Sequence, residues 1–238
     1  MRISVVIPVK DDELYLERCL EALHRQSRLA EEIVVVDNGG SAMTAQIAAW
    51  WNVRCVAEAR PGITAAAAAG YDAATGDVIA RLDADSVPAA DWVERVALAF
   101  ADQPGLDAVT GPGDFVSLPA PLRRIADLAY MDAYFAVFGR LAGHAPVFGS
   151  NFAMQRRLWR EVRRRTHRWD TGVHDDLDLS LCVAPETRVR LDRTLRVAVS
   201  SRPFVDPRGF ARRIHRAVHT VAVNRRTLTG RLREHAAA

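Results

Sequence analysis

Lysine is almost absent from this sequence: Lys10 is the single one, and arginine supplies the other Lys/Arg-type charges. Cysteine is nearly as scarce. Cys19, Cys55 and Cys182 are odd in number and scattered, which excludes a complete disulfide framework, and they lack metal-ligand spacing. They read as reduced core thiols of a cytosolic chain. No stretch approaches the roughly 18 uninterrupted apolar residues that cross a bilayer. The opening MRISVVIPVK has neither the longer apolar core nor the small-residue cleavage site of a secretory signal. Internal repeats and low-complexity linkers are missing as well, so neither a repeat array nor a flexible tether is expected.

What is present suits a globular domain. The 238 residues can bury a full core and predict one domain with room for a small appendage. A formal net charge of +3 is small, and no nucleic-acid partner is expected. The charge is uneven, however. Arginines crowd the second half at Arg156-Arg157, Arg163-Arg164-Arg165, Arg212-Arg213 and Arg225-Arg226. Two causes stay open: the base composition of the genome, or a basic face for phosphate-bearing ligands or an anionic membrane.

Over the first hundred residues, β-branched runs alternate with longer alanine-rich segments. Strands are expected at 3–7 (closed by Pro8), 33–36, 53–56 and 78–82. Helices are expected after each, the first capped by Asp11 or Asp12 with a stripe of Leu14, Leu16, Cys19, Leu20 and Leu23. Pro61 and Gly62 open a helix whose alanines 65–69 read as close packing, and 88–100 reads as the helix behind the fourth strand. Strict alternation of this kind predicts an α/β fold with a mostly parallel sheet covered by helices on both faces. Downstream, 106–110 reads as a strand, 121–141 as a helix (Leu122, Ile125, Leu128, Ala129, Tyr134, Phe135), and 147–154 as extended. A helix over 176–182, two short strands over 188–200 and a basic helical tail from 207 complete the reading.

In open α/β sheets, ligands bind beyond the carboxyl ends of the strands. Pro8, Val9, Lys10 and Asp11 follow the first strand; Asp37, Asn38, Gly39 and Gly40 follow the second; Asp83, Ala84 and Asp85 follow the fourth. Asp83 and Asp85, two apart, can face one side of an extended segment, where like charges repel. Mg²⁺ or Mn²⁺ relieves that repulsion and suits carboxylate oxygen. The plain alternative is an acidic turn capping the next helix through Asp85 or Ser86. Asp37 can likewise be a turn former, or an acceptor for a base or ribose.

The segments SVVIPVKDD, VVVDNGGS, RPGITAAAAAGYDAATGDVIARLDADS, FGSNFAMQRRLW and HDDLDLSL, in this order and spacing, resemble the family 2 glycosyltransferases from residue 3 to about 202. The resemblance implies a single GT-A domain at 1–206 with a nucleotide-binding half (1–112) and an acceptor-side half (113–206), followed by a basic helical tail at 207–238. It implies inverting transfer from a nucleoside-diphosphate sugar to an acceptor hydroxyl, with a divalent cation. Pro8 and Asp37 would line the nucleobase and ribose pocket, with Lys10, Asn38, Arg60, Gly62 and Ala84 in the donor site. Asp83 would sit by ribose and metal, Asp85 would be the direct metal ligand, and Asn151 belongs to a segment beside the donor sugar. Asp176 matches the family's catalytic base, with Asp175 beside it. A carboxylate opposite the leaving group can take the acceptor proton, although acidic residues also favour any helix N-terminus.

Departures exist. An arginine common in the family is replaced within Ala66-Ala67-Ala68, so Arg60, Arg81 or Lys10 would have to compensate. That departure motivates the alternative of a catalytically silent sugar-nucleotide-binding scaffold. A nucleotidyltransferase would need a glycine-rich basic loop after the first strand, which Pro8-Val9-Lys10-Asp11 is not. Arg202 matches a late element near the diphosphate, and His215 and His219, four apart, share a helix face that could add a metal ligand. Trp169, just before the acidic cluster, is the tryptophan placed to face an acceptor. The tail's Arg212, Arg213, Arg216, Arg225 and Arg226, with Phe204, Phe210, Ile214 and Val218, either folds back on the domain or contacts an anionic membrane peripherally from the cytoplasm.

Overall fold

A computed structural model describes residues 1–115, 130–200, 207–225 and 227–228. Arg202, Phe204 and the expected helical positions Leu122, Ile125, Leu128 and Ala129 lie outside them.

The first strand shows why the architecture follows from the sequence. β1 (Ile3–Val9) is buried along its whole length. Its side chains alternate: Ile3, Val5, Ile7 and Val9 enter one core cluster, and Val6 enters the other. A strand apolar on both faces belongs in the middle of a sheet covered on both sides. β1 lies there, paired in parallel with β2 (Glu32–Asp37) and with β4 (Val78–Arg81), while β3 (Arg54–Ala57) extends the β2 edge. The crossovers are α1 (Glu13–His24), α2 (Ala42–Trp50) and α3 (Ile63–Ala73). Beyond β4 come β5 (Val87–Pro88), α4 (Trp92–Asp102), β6 (Ala108–Thr110), β7 (Gly113–Phe115) and α5 (Asp132–Ala142). The chain continues through β8 (Phe152–Gln155), α6 (Arg156–Val162), α7 (Asp175–Cys182), β9 (Val189–Leu191), β10 (Val197–Val199) and α8 (Pro207–Val223).

The main sheet has the order β3-β2-β1-β4-β8-β6-β9. Among the described residues β8 alone runs against its neighbours, β4 and β6. It comes from the second half of the chain and lies between two strands of the first, so one sheet spans the expected division near residue 112. A second sheet, β5-β10-β7, stands beside it. The two short strands expected over 188–200 therefore do not pair with each other: β9 joins β6, and β10 joins β5 and β7.

Pro8 does not close β1. The Val6 carbonyl accepts from Leu82 N–H on the β4 side, and the Val9 carbonyl accepts from Asn38 N–H on the β2 side. By strand alternation Pro8 shares the Val6 side, beyond the last residue of β4, where its missing N–H has no ladder to break. The alanine run packs closely, as expected. A Cβ on Gly70 of α3 would lie 2.3 Å from Val6 Cγ1, so the helix sits directly on β1, with Ala66, Ala67 and Ala68 buried beside it.

Three local expectations are corrected. Leu14 is 78% exposed, because α1 turns only Leu16, Cys19, Leu20 and Leu23 inward. Cys55 is exposed on edge strand β3, whereas Cys19 and Cys182 are buried. The helix expected from residue 88 starts at Trp92, with Asp91 at its N-cap, because Val87–Pro88 pairs with β10.

Candidate active site

The strand order reverses between β1 and β4, and the crevice at their carboxyl ends gathers most of the expected residues. Its floor is made by the backbone. Asp37 ends β2, nearly buried, and its Oδ1 accepts from Gly39 N–H at 3.0 Å. A Cβ on Gly39 would lie within 4 Å of Asp11 Oδ1, Asp37 Oδ1 and Lys10 Cγ, so these three side chains surround one open spot. Asp11 holds a left-handed φ of 56°, which bends the chain sharply as it leaves β1.

Asn38 has a different role from the expected one. Its Nδ2 donates to the carbonyls of Glu58 (2.8 Å) and Arg60 (2.7 Å), and its Oδ1 accepts from Gly62 N–H (2.9 Å). The amide thus fastens the β2 end to the loop that opens α3. Gly62, at φ 118°, makes that turn against Thr171. Arg60 projects from the same loop, with its guanidinium 4.0 Å from the centroid of Trp169, and Arg168 lies 4.8 Å from the same ring. Two cations over the ring leave Trp169 poorly suited as a sugar platform.

The chemistry concentrates at the end of β4. Arg81 is 1% exposed, and its side chain joins two segments far apart in sequence. Nη1 donates to Asp175 Oδ2 at 2.5 Å and to the Tyr71 hydroxyl at 3.0 Å, while Nη2 donates to Asp83 Oδ1 at 2.6 Å. The loop before β8 makes a second bridge. Ser150 Oγ donates to Asp83 Oδ2 at 2.6 Å, and Gly149 N–H donates to Asp176 Oδ2 at 2.9 Å. Asp83, Asp175 and Asp176 therefore form one connected acidic wall, with Ala84 buried behind it. Arg81 cannot serve as a replacement for a donor-facing arginine, because it is enclosed and committed to protein carboxylates.

Asn151 is corrected too. It is fully buried, with Nδ2 donating to the carbonyls of Pro112 and Leu195 and Oδ1 accepting from the Trp92 indole. Ser150, one residue earlier, is the side chain that reaches the site. Gly149 and Ser150 form a turn closed by the Phe148–Asn151 bridge ahead of β8, so which of the two adjacent polar side chains faces the site is set by that turn.

Electrostatics separates the carboxylates. Burial pushes the Asp176 carboxyl above the ordinary carboxylate range, and the Asp175 charge beside it adds to the push. Burial acts the same way on Asp83, but Arg81, Ser150 and Arg213 outweigh it and hold that carboxyl below its usual value. Asp175 and Asp176 open α7 after the N-cap His174, where the helix dipole also favours negative charge. Asp83 and Asp85 offer carboxylate oxygens, the hard donor type that suits Mg²⁺ or Mn²⁺. Among the described residues, three metal-type ligand atoms come together only at His167, Asp178 and Cys182. There the Asp178 carboxylate is already filled by His167 N–H (2.7 Å), the His167 ring (2.7 Å) and Asn224 Nδ2 (2.8 Å), so that group is a buttress beneath α7.

The described part of the tail, α8, packs against the domain. His219 Nε2 lies 2.8 Å from Asp170 Oδ2, Thr220 Oγ1 accepts from His174 N–H at 2.8 Å, and Ala217 and Val221 pack on Leu177 and Leu181. His219 is thereby engaged with Asp170, and His215 is exposed.

Comparison with known proteins agrees with this geometry. The family model described as "Glycosyl transferase family 2" matches residues 4–162. Glycosyltransferase AglE of Haloferax volcanii is 32% identical over 121 residues, covering 48% of this chain and 40% of AglE. An uncharacterized glycosyltransferase of Mycobacterium tuberculosis is 37% identical over 110 residues, covering 46% of this chain and 47% of its own. The chain thus spans less than half the length of these curated relatives. Among solved structures, glucosyl-3-phosphoglycerate synthase from M. tuberculosis, in complex with Mn²⁺, UDP and glucosyl-3-phosphoglycerate, superposes with a TM-score of 0.66 at 18% identity, over 94% of this chain and 79% of its own. A mannosyltransferase from Pyrobaculum calidifontis, in complex with GDP-Man and Mn²⁺, gives 0.63 at 19%, over 100% and 75%. At such identities the likeness shows the fold alone, and that fold is the expected GT-A type.

Proposed function

The chain belongs to glycosyl transferase family 2, and from that premise we propose that it transfers a sugar from a nucleoside-diphosphate sugar to an acceptor hydroxyl with inversion. The observation that carries this reading is the pair of bridges, Arg81 and Gly149–Ser150, that joins Asp83 to Asp175 and Asp176 in one wall. Asp85 and Asp83 would hold Mn²⁺ or Mg²⁺, which supplies positive charge against the departing diphosphate. Asp11, Lys10 and Asp37, around Gly39, would form the base and ribose end together with Pro8. UDP, GDP and TDP sugars are the candidate donors.

Asp176 is the proposed base. Gly149 N–H fixes one of its carboxylate oxygens, and its raised affinity for a proton suits an acceptor for a hydroxyl proton at neutral pH. Asp175, held by Arg81 at 2.5 Å, lies beside Asp176 and contributes to that raised affinity. Asp176→Asn should lower kcat by about 10²–10⁴-fold while leaving donor affinity near wild type. Full turnover by Asp176→Asn would remove it from the base role.

The scaffold alternative drew on the alanines at 66–68. All three are buried in the core cluster that holds Val6, Val34 and Val36 of the sheet, so their small size is accounted for by packing. We extend the proposal to a cytoplasmic place of action. No described helix is long and apolar enough to cross a membrane, while Ile214 and Val218 are exposed on an arginine-rich helix that could touch an anionic surface.

A further inference from the structure

We propose that the outward face of α8 is a docking surface for an anionic lipid membrane, against which the helix lies flat. The docking rests on the peripheral contact named above, gives it a face, and needs nothing from the transfer chemistry. A helix on the surface of a globular protein ordinarily turns its apolar stripe inward and its polar side out. α8 departs from this. Its inward side is held largely by polar groups: Thr220 Oγ1 accepts from His174 N–H, the Arg213 carbonyl lies 3.1 Å from His174 Nε2, and Asn224, just past the helix, donates to Asp178. Thr220 and Asn224 are buried, and Ala217 and Val221 pack beside them on Leu177 and Leu181. At steps of three and four, Ala211, Ile214, Val218 and Ala222 line up on the other side. All four are exposed, Ile214 at 51% and Val218 at 65%. The strongest anchors to the domain are thus polar, and an apolar stripe faces outward.

Charge decides what that stripe meets. α8 contains no Asp or Glu, and Arg212 and Arg216, four apart, run along one flank of the stripe. Arginine can lay its aliphatic stem on apolar surface while its guanidinium reaches a plane of phosphate and carboxylate headgroups. A second copy of this chain is a poorer match. A two-fold interface sets the same patch against itself and would bring arginines of one sign together. A protein groove is a poorer match too, because tight protein interfaces centre on a large buried anchor such as Trp, Tyr or Arg, and the stripe offers only Ile and Val between alanines. A membrane asks less of any one side chain. The 17 residues of α8 span about 25 Å along the interface, shallow apolar contact is spread over that length, and each arginine near an anionic surface adds about fivefold in affinity.

The full chain is sedimented with vesicles of phosphatidylcholine alone and with phosphatidylserine added, at low and high salt. Two double variants go alongside, Ile214→Asn with Val218→Asn, and Arg212→Gln with Arg216→Gln. The replaced side chains lie outside the core, so melting should stay close to wild type. Wild type should partition onto the phosphatidylserine vesicles only, less at high salt, and about 10-fold or more of that partitioning should be lost in each double variant. Wild type that stays in solution with phosphatidylserine vesicles would overturn the docking, and so would an asparagine variant that sediments like wild type. A concentration-dependent dimer in vesicle-free solution, lost in the asparagine variant, would give the stripe to a second copy instead. Metal-dependent release of nucleoside diphosphate, assayed without vesicles, should be the same in wild type and both variants. Wild type that turns over a donor but does not sediment loses the docking and keeps the transfer reading; the converse result loses the transfer reading alone.

Discussion

Replacing Arg81 with methionine should destabilise the protein strongly, and most of the loss should be traceable to one carboxylate. Arg81 is 1% exposed and neutralises Asp83 and Asp175 while also donating to Tyr71. Removing one partner of a buried ion pair costs about 3–5 kcal/mol, because the other charge is left uncompensated. The two carboxylates differ in their escape routes. Asp83 is 33% exposed, so water can take over; Asp175 is 14% exposed and cannot rehydrate as freely. The penalty should therefore sit mainly on Asp175, and adding Asp175→Asn to Arg81→Met should recover at least about half of it. For a chain of this size the single variant should melt roughly 6–20 °C lower. The pH dependence has a definite sign. In the wild type the Asp83 carboxyl is held low, so its contribution is present above the unfolded carboxylate value and fades as pH falls through the lower folded one. In Arg81→Met the stranded carboxylates should instead gain stability on acidification from neutral pH. Chemical and thermal unfolding at several pH values measures all of this. Arg81→Met within about 1 kcal/mol of wild type, or no recovery in the double variant, would refute the reasoning.

Other perturbations probe the parts that hold the site in place. Gly70→Ala should cost roughly 1–3 kcal/mol in urea unfolding, because its Cβ would meet Val6 Cγ1 at 2.3 Å. A neutral effect would mean that α3 does not press on β1. Asn224→Ala leaves the buried Asp178 carboxylate short of a donor and should cost about 1–3 kcal/mol, with faster amide exchange in α8 as the local readout. Asp176 has a raised folded pKa, so the native state binds its proton more tightly, and stability is lost as pH rises from the unfolded value through the folded one. Asp176→Asn should thus be at least as stable as wild type at pH 7, and a large destabilisation would contradict the electrostatic picture. The kcat of wild type should fall on acidification through that same raised value, a limb that Asp176→Asn lacks.

The sheet was largely legible from sequence because its signal is local. A β-branched run such as Ile3–Val9, buried on both faces, permits few placements, and the acidic and amide residues that follow each strand fall on one rim by topology. What escaped was orientation. Ser150 and Asn151 are adjacent, yet one donates to Asp83 and the other is buried under Trp92. Asn38 looked like a ligand contact, but distant loop carbonyls at Glu58 and Arg60 claim its amide. The role of Arg81 was hidden for a similar reason: its partner Asp175 is 94 residues away. Pro8 and Leu14 were misread locally, since the end of β4 and the angle of α1 decide their surroundings. The short helix α6, over Arg156–Val162, was missed within a segment dominated by arginine.

The central claim is that Asp83, Asp85 and the Asp175–Asp176 wall form one metal-dependent glycosyl-transfer site. Release of nucleoside diphosphate from UDP-, GDP- and TDP-sugars, with Mn²⁺ and with chelator, tests it most directly in wild type and Asp85→Ala. Wild type should release nucleoside diphosphate from at least one donor only when metal is present, and Asp85→Ala should lose about 10²-fold or more of that rate. Metal-independent release, or an Asp85→Ala variant as fast as wild type, would contradict the account.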